Sequence, residues 1–179
     1  MRNLLEGKNI RLTALKDEDN ETLEQWFNNM NFMRNYDILP AFPQSRRGIE
    51  ELINYYANNN ERILLGIRLK DNNTLIGVAG FDDILWNNDT AFLFIGVGDM
   101  EYRGKGYGKE AINLLVDYGF NELNFYKLQL NVIQYNRAAI NLYEGIGFIK
   151  EGTYRQYVLR DGQRFDLYLY GLLKDEWKL

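Results

Sequence analysis

The residues with the most chemical content are Arg103-Gly104-Lys105-Gly106-Tyr107-Gly108-Lys109. Three alternating glycines carry interleaved cations just ahead of an apolar-periodic stretch that reads as a helix. The first N–H groups of a helix have no partner inside it, and glycine lets a ligand approach the backbone closely. Such a junction is an anion site suited to phosphate or pyrophosphate, with Arg103, Lys105 and Lys109 adding charge. The plain alternative is a strand–helix connector, for which three glycines are costly in conformational entropy.

Two phosphate-loop patterns fit poorly. A Walker A loop needs Ser or Thr after Gly-Lys, and here Glu110 follows Gly108-Lys109. Gly106-Tyr107-Gly108-Lys109-Glu110-Ala111 has the form of a dinucleotide fingerprint. However, the preceding strand ends several residues too early, and no acidic residue closes the next strand, Asn131-Val132-Ile133.

Composition narrows the chemistry. The 179 residues include no histidine and no cysteine. That excludes imidazole bases, Ser-His-Asp triads, thiol nucleophiles, disulfides and zinc fingers. No metal site is predicted. With 21 basic and 25 acidic residues the net charge is −4, which argues against nucleic acid and permits a cationic substrate. The N-terminus has no signal-peptide pattern, and the longest apolar run, Ala91 to Gly98, is too short to span a membrane. The expectation is a soluble cytoplasmic protein, without nucleic-acid or membrane partners, as a monomer or homodimer.

A second block, Asn136-Arg-Ala-Ala139-Ile-Asn-Leu-Tyr143-Glu-Gly-Ile-Gly147-Phe148, follows one helix and one strand later. Arg103-x-x-Gly106-x-Gly108 resembles the Q/R-x-x-G-x-G/A signature of the GNAT acetyltransferase superfamily. The second block resembles its N-x-x-[AS]-x-x-x-Y-x-x-x-G-F signature. Val158-Leu-Arg-Asp161-Gly162-Gln-Arg-Phe-Asp166 is similar to the ending of the RimJ/RimL-like branch and of spermidine acetyltransferases.

This resemblance implies the GNAT acyl-CoA N-acyltransferase fold, in which strands 4 and 5 splay apart. Acetyl-CoA would be the cosubstrate. Its pyrophosphate would sit on Arg103, Gly104, Lys105, Gly106, Tyr107, Gly108 and Lys109. Its pantetheine arm would lie along the free edge Ile95, Gly96, Val97. Asn136 would contact it, or act as a helix cap, or both. An amine would attack the thioester directly, with a backbone N–H near Val97 holding the oxyanion. Tyr143 would protonate the departing thiolate; spacing alone favours a core tyrosine beside Ala139, Leu142 and Ile146, and the motif favours the functional role. Relatives carry a Glu early in the strand before the loop, near Leu93 here, so the base must lie elsewhere. Asp83, with Asp82 beside it, is the candidate, as is a water chain. The acceptor would be a protein N-terminus or small amine, including a polyamine, aminoglycoside or amino sugar. A coenzyme A-binding module without turnover is a further alternative. Trp26, Phe27, Phe32, Tyr36, Tyr55 and Tyr56 form an aromatic group on the implied acceptor side, as an ammonium cradle or as core.

The elements that must position these residues read as one domain, 1–179, of α/β (α+β) class. Asn9 to Leu15 alternates as a strand, and Asp17-Glu18-Asp19 opens a helix carrying Leu23, Trp26 and Phe27. Residues 31–43 read as a loop. Ser45 caps a helix through Tyr56. Strands follow at 62–69, 75–81 and 91–97, then a helix over 109–123 and a strand over 126–133. Asn136 caps a helix through Gly145. Asp161-Gly162 turns a hairpin of strands 153–160 and 163–173. The result is a mixed, mostly antiparallel sheet of about seven strands flanked by about four helices.

Overall fold

A computed structural model describes residues 2–178. The chain runs β1 (Ile10–Thr13), α1 (Asn20–Phe27), α2 (Met30–Tyr36), α3 (Arg46–Ala57), β2 (Ile63–Leu69), β3 (Leu75–Leu85) and β4 (Thr90–Val97). It continues with α4 (Tyr107–Asn121), β5 (Lys127–Ile133), α5 (Arg137–Glu144), β6 (Ile149–Arg160) and β7 (Gln163–Leu173). The strands form one sheet in the order β1-β2-β3-β4-β5-β7-β6. Every neighbouring pair is antiparallel except β4 and β5, which run parallel.

Local chemistry accounts for several boundaries. Ser45 accepts from the Gly48 N–H at the start of α3, and Asn136 accepts from the Ala139 N–H at the start of α5. Asp161 and Gly162 both take positive φ, as a two-residue hairpin turn of the primed type requires. The expected loop at 31–43 is partly helical. Asn29 caps α2 by accepting from Phe32 N–H, and α2 buries Phe32 and Met33. Five α-helices among the described residues therefore flank the sheet, one more than expected.

Two cores sit on opposite faces. On one, α4 buries Ala111, Ile112, Leu115, Val116 and Phe120 against Phe81, Leu93 and Leu128, and α5 adds Ile140 and Tyr143. On the other, Leu23, Trp26, Phe32 and Ile49 from α1 to α3 pack on Leu75 and Val78. Each fully buried side chain of this size contributes about 1.5–3 kcal/mol. A buried ion pair joins Arg68 of β2 to Asp19, just before α1. Arg68 Nε also donates to Thr13 Oγ1 of β1 at 3.0 Å.

Candidate active site

The parallel pair β4–β5 is short. Only Thr90–Lys127, Ala91–Leu128 and Phe92–Gln129 are in register. Beyond them β4 follows β3 to the pair Val97–Gly77, while β5 follows β7 to Ile133–Leu167. The strands diverge and leave a gap along the C-terminal half of β4. Gly98 N–H donates to Ile76 O on β3. Antiparallel strands alternate their hydrogen-bonding direction, so Gly96 also turns to β3, while Ile95 and Val97 turn their N–H groups to the gap.

The glycine loop closes one end of this gap. Gly104 and Gly106 have φ of 73° and 87°, and Gly106 is the residue from which α4 departs. Arg103 folds back, its Nε donating to Val97 O at 3.0 Å, which fastens the loop to the end of β4. Lys105 Nζ lies 5.7 Å from the centre of the Tyr102 ring. Tyr107 and Gly108 start α4, and Gly108 lies near Leu142 of α5 and Val97 of β4. Lys109 is exposed in the first turn. The predicted loop residues thus converge on one helix N-terminus whose N–H groups face outward, an arrangement that fits a pyrophosphate.

Tyr143 and Tyr36 approach the gap from opposite faces of the sheet. Tyr143 belongs to the core beneath α4 and α5, and its hydroxyl has no hydrogen-bond partner among the described residues. Burial pushes its phenol far above the ordinary value, so it keeps its proton at neutral pH. Tyr36 stacks on Phe32 with ring centres 5.1 Å apart and lies edge-on to Phe94 at 6.3 Å. A Cβ at Gly96 would come within 2.7 Å of the Tyr36 ring, so glycine there lets the ring lie on β4 itself. Burial also raises the Tyr36 phenol, and Tyr56, Asp82, Asp37 and Tyr143 add to the push. Tyr36 and Tyr56 both meet the Phe94 ring, at 6.3 and 6.0 Å, and bound one space on this face.

α2 roofs that space. Tyr135 OH donates to Arg34 O, and Asn136 Nδ2 donates to Asn35 O at 3.2 Å. The last turn of α2 therefore reaches from β4 to the start of α5. The expected cap role of Asn136 is present, joined by this second contact that sequence reading did not foresee.

The two candidate carboxylates part company. Asp83 takes φ 47° at a break in the β3–β4 register, is 66% exposed, and pairs with Arg62 at 3.1 Å outside the cleft. The structure does not bring it to Tyr143. Asp82, on the α3 side, accepts from Tyr56 OH at 3.1 Å and pairs with Arg62 at 2.7 Å. Burial nonetheless raises its carboxyl above the ordinary carboxylate value. Leu93 is buried in the core with α4, so a carboxylate there would enter it; Phe92 and Phe94 alternate to the other face, where Phe94 meets Tyr36 and Tyr56. In the aromatic group, Trp26 and Phe32 are core, Tyr55 is exposed beside Arg62, and Tyr36 and Tyr56 face the cleft. No helix among the described residues is long and apolar enough to cross a membrane.

Comparison with known proteins gives a consistent picture. Residues 9–149 match the model of the acetyltransferase (GNAT) domain. The chain is 30% identical over 169 residues to p20 of Bacillus licheniformis, named an uncharacterized N-acetyltransferase, covering 94% of each. It is 32% identical over 143 residues to the spermidine N(1)-acetyltransferase of Vibrio cholerae, covering 80% of each. The crystal structure of spermidine N-acetyltransferase from Vibrio cholerae with CoA and spermine superposes with TM-score 0.87 at 28% identity. That match covers 95% of this chain and 98% of the other.

Proposed function

This chain belongs to the GNAT acetyltransferase family, and we propose that its acetyl transfer takes place in the gap between β4 and β5 with Tyr143 as the acid. The protein is an acetyl-CoA-dependent N-acetyltransferase. The divergence of the two strands supports this reading, since it frees the Ile95 and Val97 amides beside a phenol that has no hydrogen-bond partner among the described residues.

Each residue then has a role. The N–H groups at Gly106, Tyr107 and Gly108 take the pyrophosphate, helped by Lys105 and Lys109. Arg103 holds the loop onto β4. Ile95, Gly96 and Val97 line the pantetheine arm, and Asn136 borders the gap where it ties α5 to α2. Acetyl-CoA supplies the thioester. The amine nitrogen bonds to the acetyl carbon, the carbon–sulfur bond breaks, and Tyr143 gives its proton to the leaving thiolate. The Val97 N–H stabilises the carbonyl oxygen as it gains charge.

The amine must first lose a proton, because an alkylammonium ionises near pH 10 on the lysine scale. Asp82 is the acceptor of that proton, passed through Tyr56, whose hydroxyl already donates to it. Asp82 replaces Asp83 in this role because only Asp82 faces the cleft.

The acceptor is a primary amine, at a protein N-terminus or on a small molecule, acted on in the cytoplasm. The Val158–Asp166 segment is similar to both the RimJ/RimL-like branch and the spermidine acetyltransferases, so it supports an amine acceptor of either kind. A polyamine acceptor is a second reading, favoured by the close superposition on spermidine N-acetyltransferase. Titration calorimetry with acetyl-CoA, followed by thiol release on adding amines, tests the proposal. Binding with amine-dependent thiol release is expected; binding without release from any amine overturns turnover in this gap.

A further inference from the structure

α2 packs on one half of the molecule and is anchored to the other. Its Phe32 and Tyr36 rings lie over Gly96 of β4. Its polar anchors come from across the gap. Tyr135 and Asn136, which link β5 to α5, donate to Arg34 O and Asn35 O. Arg34 pairs with Asp161, at the turn between β6 and β7, 2.5 Å away. α2 therefore bridges the two strands where they diverge.

The same hairpin also holds the chain that leaves α2. Asp37 Oδ1 accepts from Leu39 N–H at 2.9 Å, a local turn directly after the helix. Arg160 Nη2 donates to Asp37 O, Ile38 O and Leu39 O at 3.1, 3.0 and 3.1 Å. These carbonyls follow the negative end of a helix, and a guanidinium there complements it through charge-assisted bonds. Arg160 Nη1 donates to Leu159 O, and its Nε is buried without a partner. The guanidinium is thus set into the fold and not solvated at the surface.

We propose that Arg160 is a positioning residue for the acceptor side of the transfer site, acting through Tyr36. The inference rests on the acetyl-transfer reading above. Tyr36 is the last residue of α2 and directly precedes the three carbonyls. Its ring is set by Phe32, Phe94 and Gly96, while Arg160 fixes its backbone from the opposite half of the molecule. The space that Tyr36 bounds with Tyr56 and Phe94 therefore takes its width from the β6–β7 hairpin. The glycine loop is fastened separately, by Arg103 on Val97 O. Two arginines hold the two sides of the site, so loosening one leaves the other in place. The Val158–Asp166 segment gains a role here that is independent of which amine is acetylated.

Arg160→Gln removes the charge and tests the assignment. The acceptor is spermidine, a short peptide with a free N-terminus or, if both are silent, the best substrate in a panel of primary amines. Its kcat/KM is expected to fall by about ten- to a hundredfold, the scale of a misplacement remote from the chemistry. Acetyl-CoA affinity by calorimetry is expected to stay constant. Hydrogen exchange read by mass spectrometry should quicken in α2 and residues 37–39 and not in α4. A merely structural arginine would lower the melting temperature and leave kcat/KM unmoved well below it. Asp161→Asn, at a turn position 79% exposed, serves where the first variant folds poorly. It is expected to lower the same kcat/KM about two- to fivefold, the scale of an exposed ion pair. Three outcomes overturn the positioning role and leave acetyl transfer standing: unchanged amine kinetics, unchanged exchange in α2, or acetyl-CoA affinity lost in step with rate. A parent protein that binds acetyl-CoA and releases thiol with no amine of the panel overturns the transfer reading, and this role with it.

Discussion

The Tyr56 hydroxyl donates to Asp82 at 3.1 Å, on the face of β3 that looks toward Tyr36. Desolvation outweighs this bond and the Arg62 contact, and holds the Asp82 carboxyl above its ordinary value of 3.8. A raised carboxyl stays protonated to higher pH, so a reaction that needs the carboxylate is lost as pH falls through the shifted value. The stability sign is opposite. The folded value lies above the unfolded one, so this group favours the native state at low pH and loses that contribution as pH rises through the folded value.

Asp82→Asn is therefore expected to lower kcat/KM for the amine by about a hundredfold, within the range of one acid–base group. The acid limb of the pH–rate profile should disappear with it, while acetyl-CoA affinity stays constant. Rates equal to the parent protein at every pH place the base elsewhere.

Tyr143→Phe removes the hydroxyl and keeps the ring that packs 6.0 Å from Phe148. Turnover is expected to fall by about ten- to a thousandfold with little change in acetyl-CoA affinity, the signature of an interaction made only in the transition state. Steady-state kinetics beside calorimetry separates the two quantities. Loss of affinity in step with rate would instead mark Tyr143 as packing.

Legibility in the sequence follows the range of the forces involved. The Asn136 cap and the Asp161-Gly162 turn were readable because each is decided by residues two or three apart. α2 was not. Its buried residues, Phe32 and Met33, are adjacent and show no helical period, and its last carbonyls are satisfied by Tyr135 and Asn136, 101 residues away. The choice between Asp82 and Asp83 depends on where the β3–β4 register breaks, which a tertiary bulge decides. The glycine loop was legible because glycine is the residue that positive φ demands.

At Gly106 a Cβ would meet no atom within 4 Å, so only the backbone opposes a side chain there. A left-handed residue costs an L-amino acid about 1–2 kcal/mol. Gly106→Ala is expected to relieve that strain by shifting the loop and turning N–H groups off the anion. A loss of about 1.4 kcal/mol weakens binding tenfold. Calorimetry with acetyl-CoA reads the effect, and unchanged affinity would make the loop a connector only.

The buried pair Arg68–Asp19 governs stability far from the chemistry. Asp19 also accepts from Lys16 N–H at 2.7 Å, and Arg68 donates to Thr13 and Asn73, so the pair joins β1, β2 and the entry to α1. Both side chains are almost fully buried, at 4% and 5% exposure. Removing one partner strands the other charge, which costs about 3–5 kcal/mol. Asp19→Ala is thus expected to lower the urea midpoint strongly with an unchanged slope. Adding Arg68→Met removes the stranded charge and is expected to recover much of the loss, because an apolar replacement of a buried pair is often neutral. A double variant no more stable than Asp19→Ala would show that the hydrogen bonds to Thr13 and Asn73, and not the ion pair, hold β1 to β2.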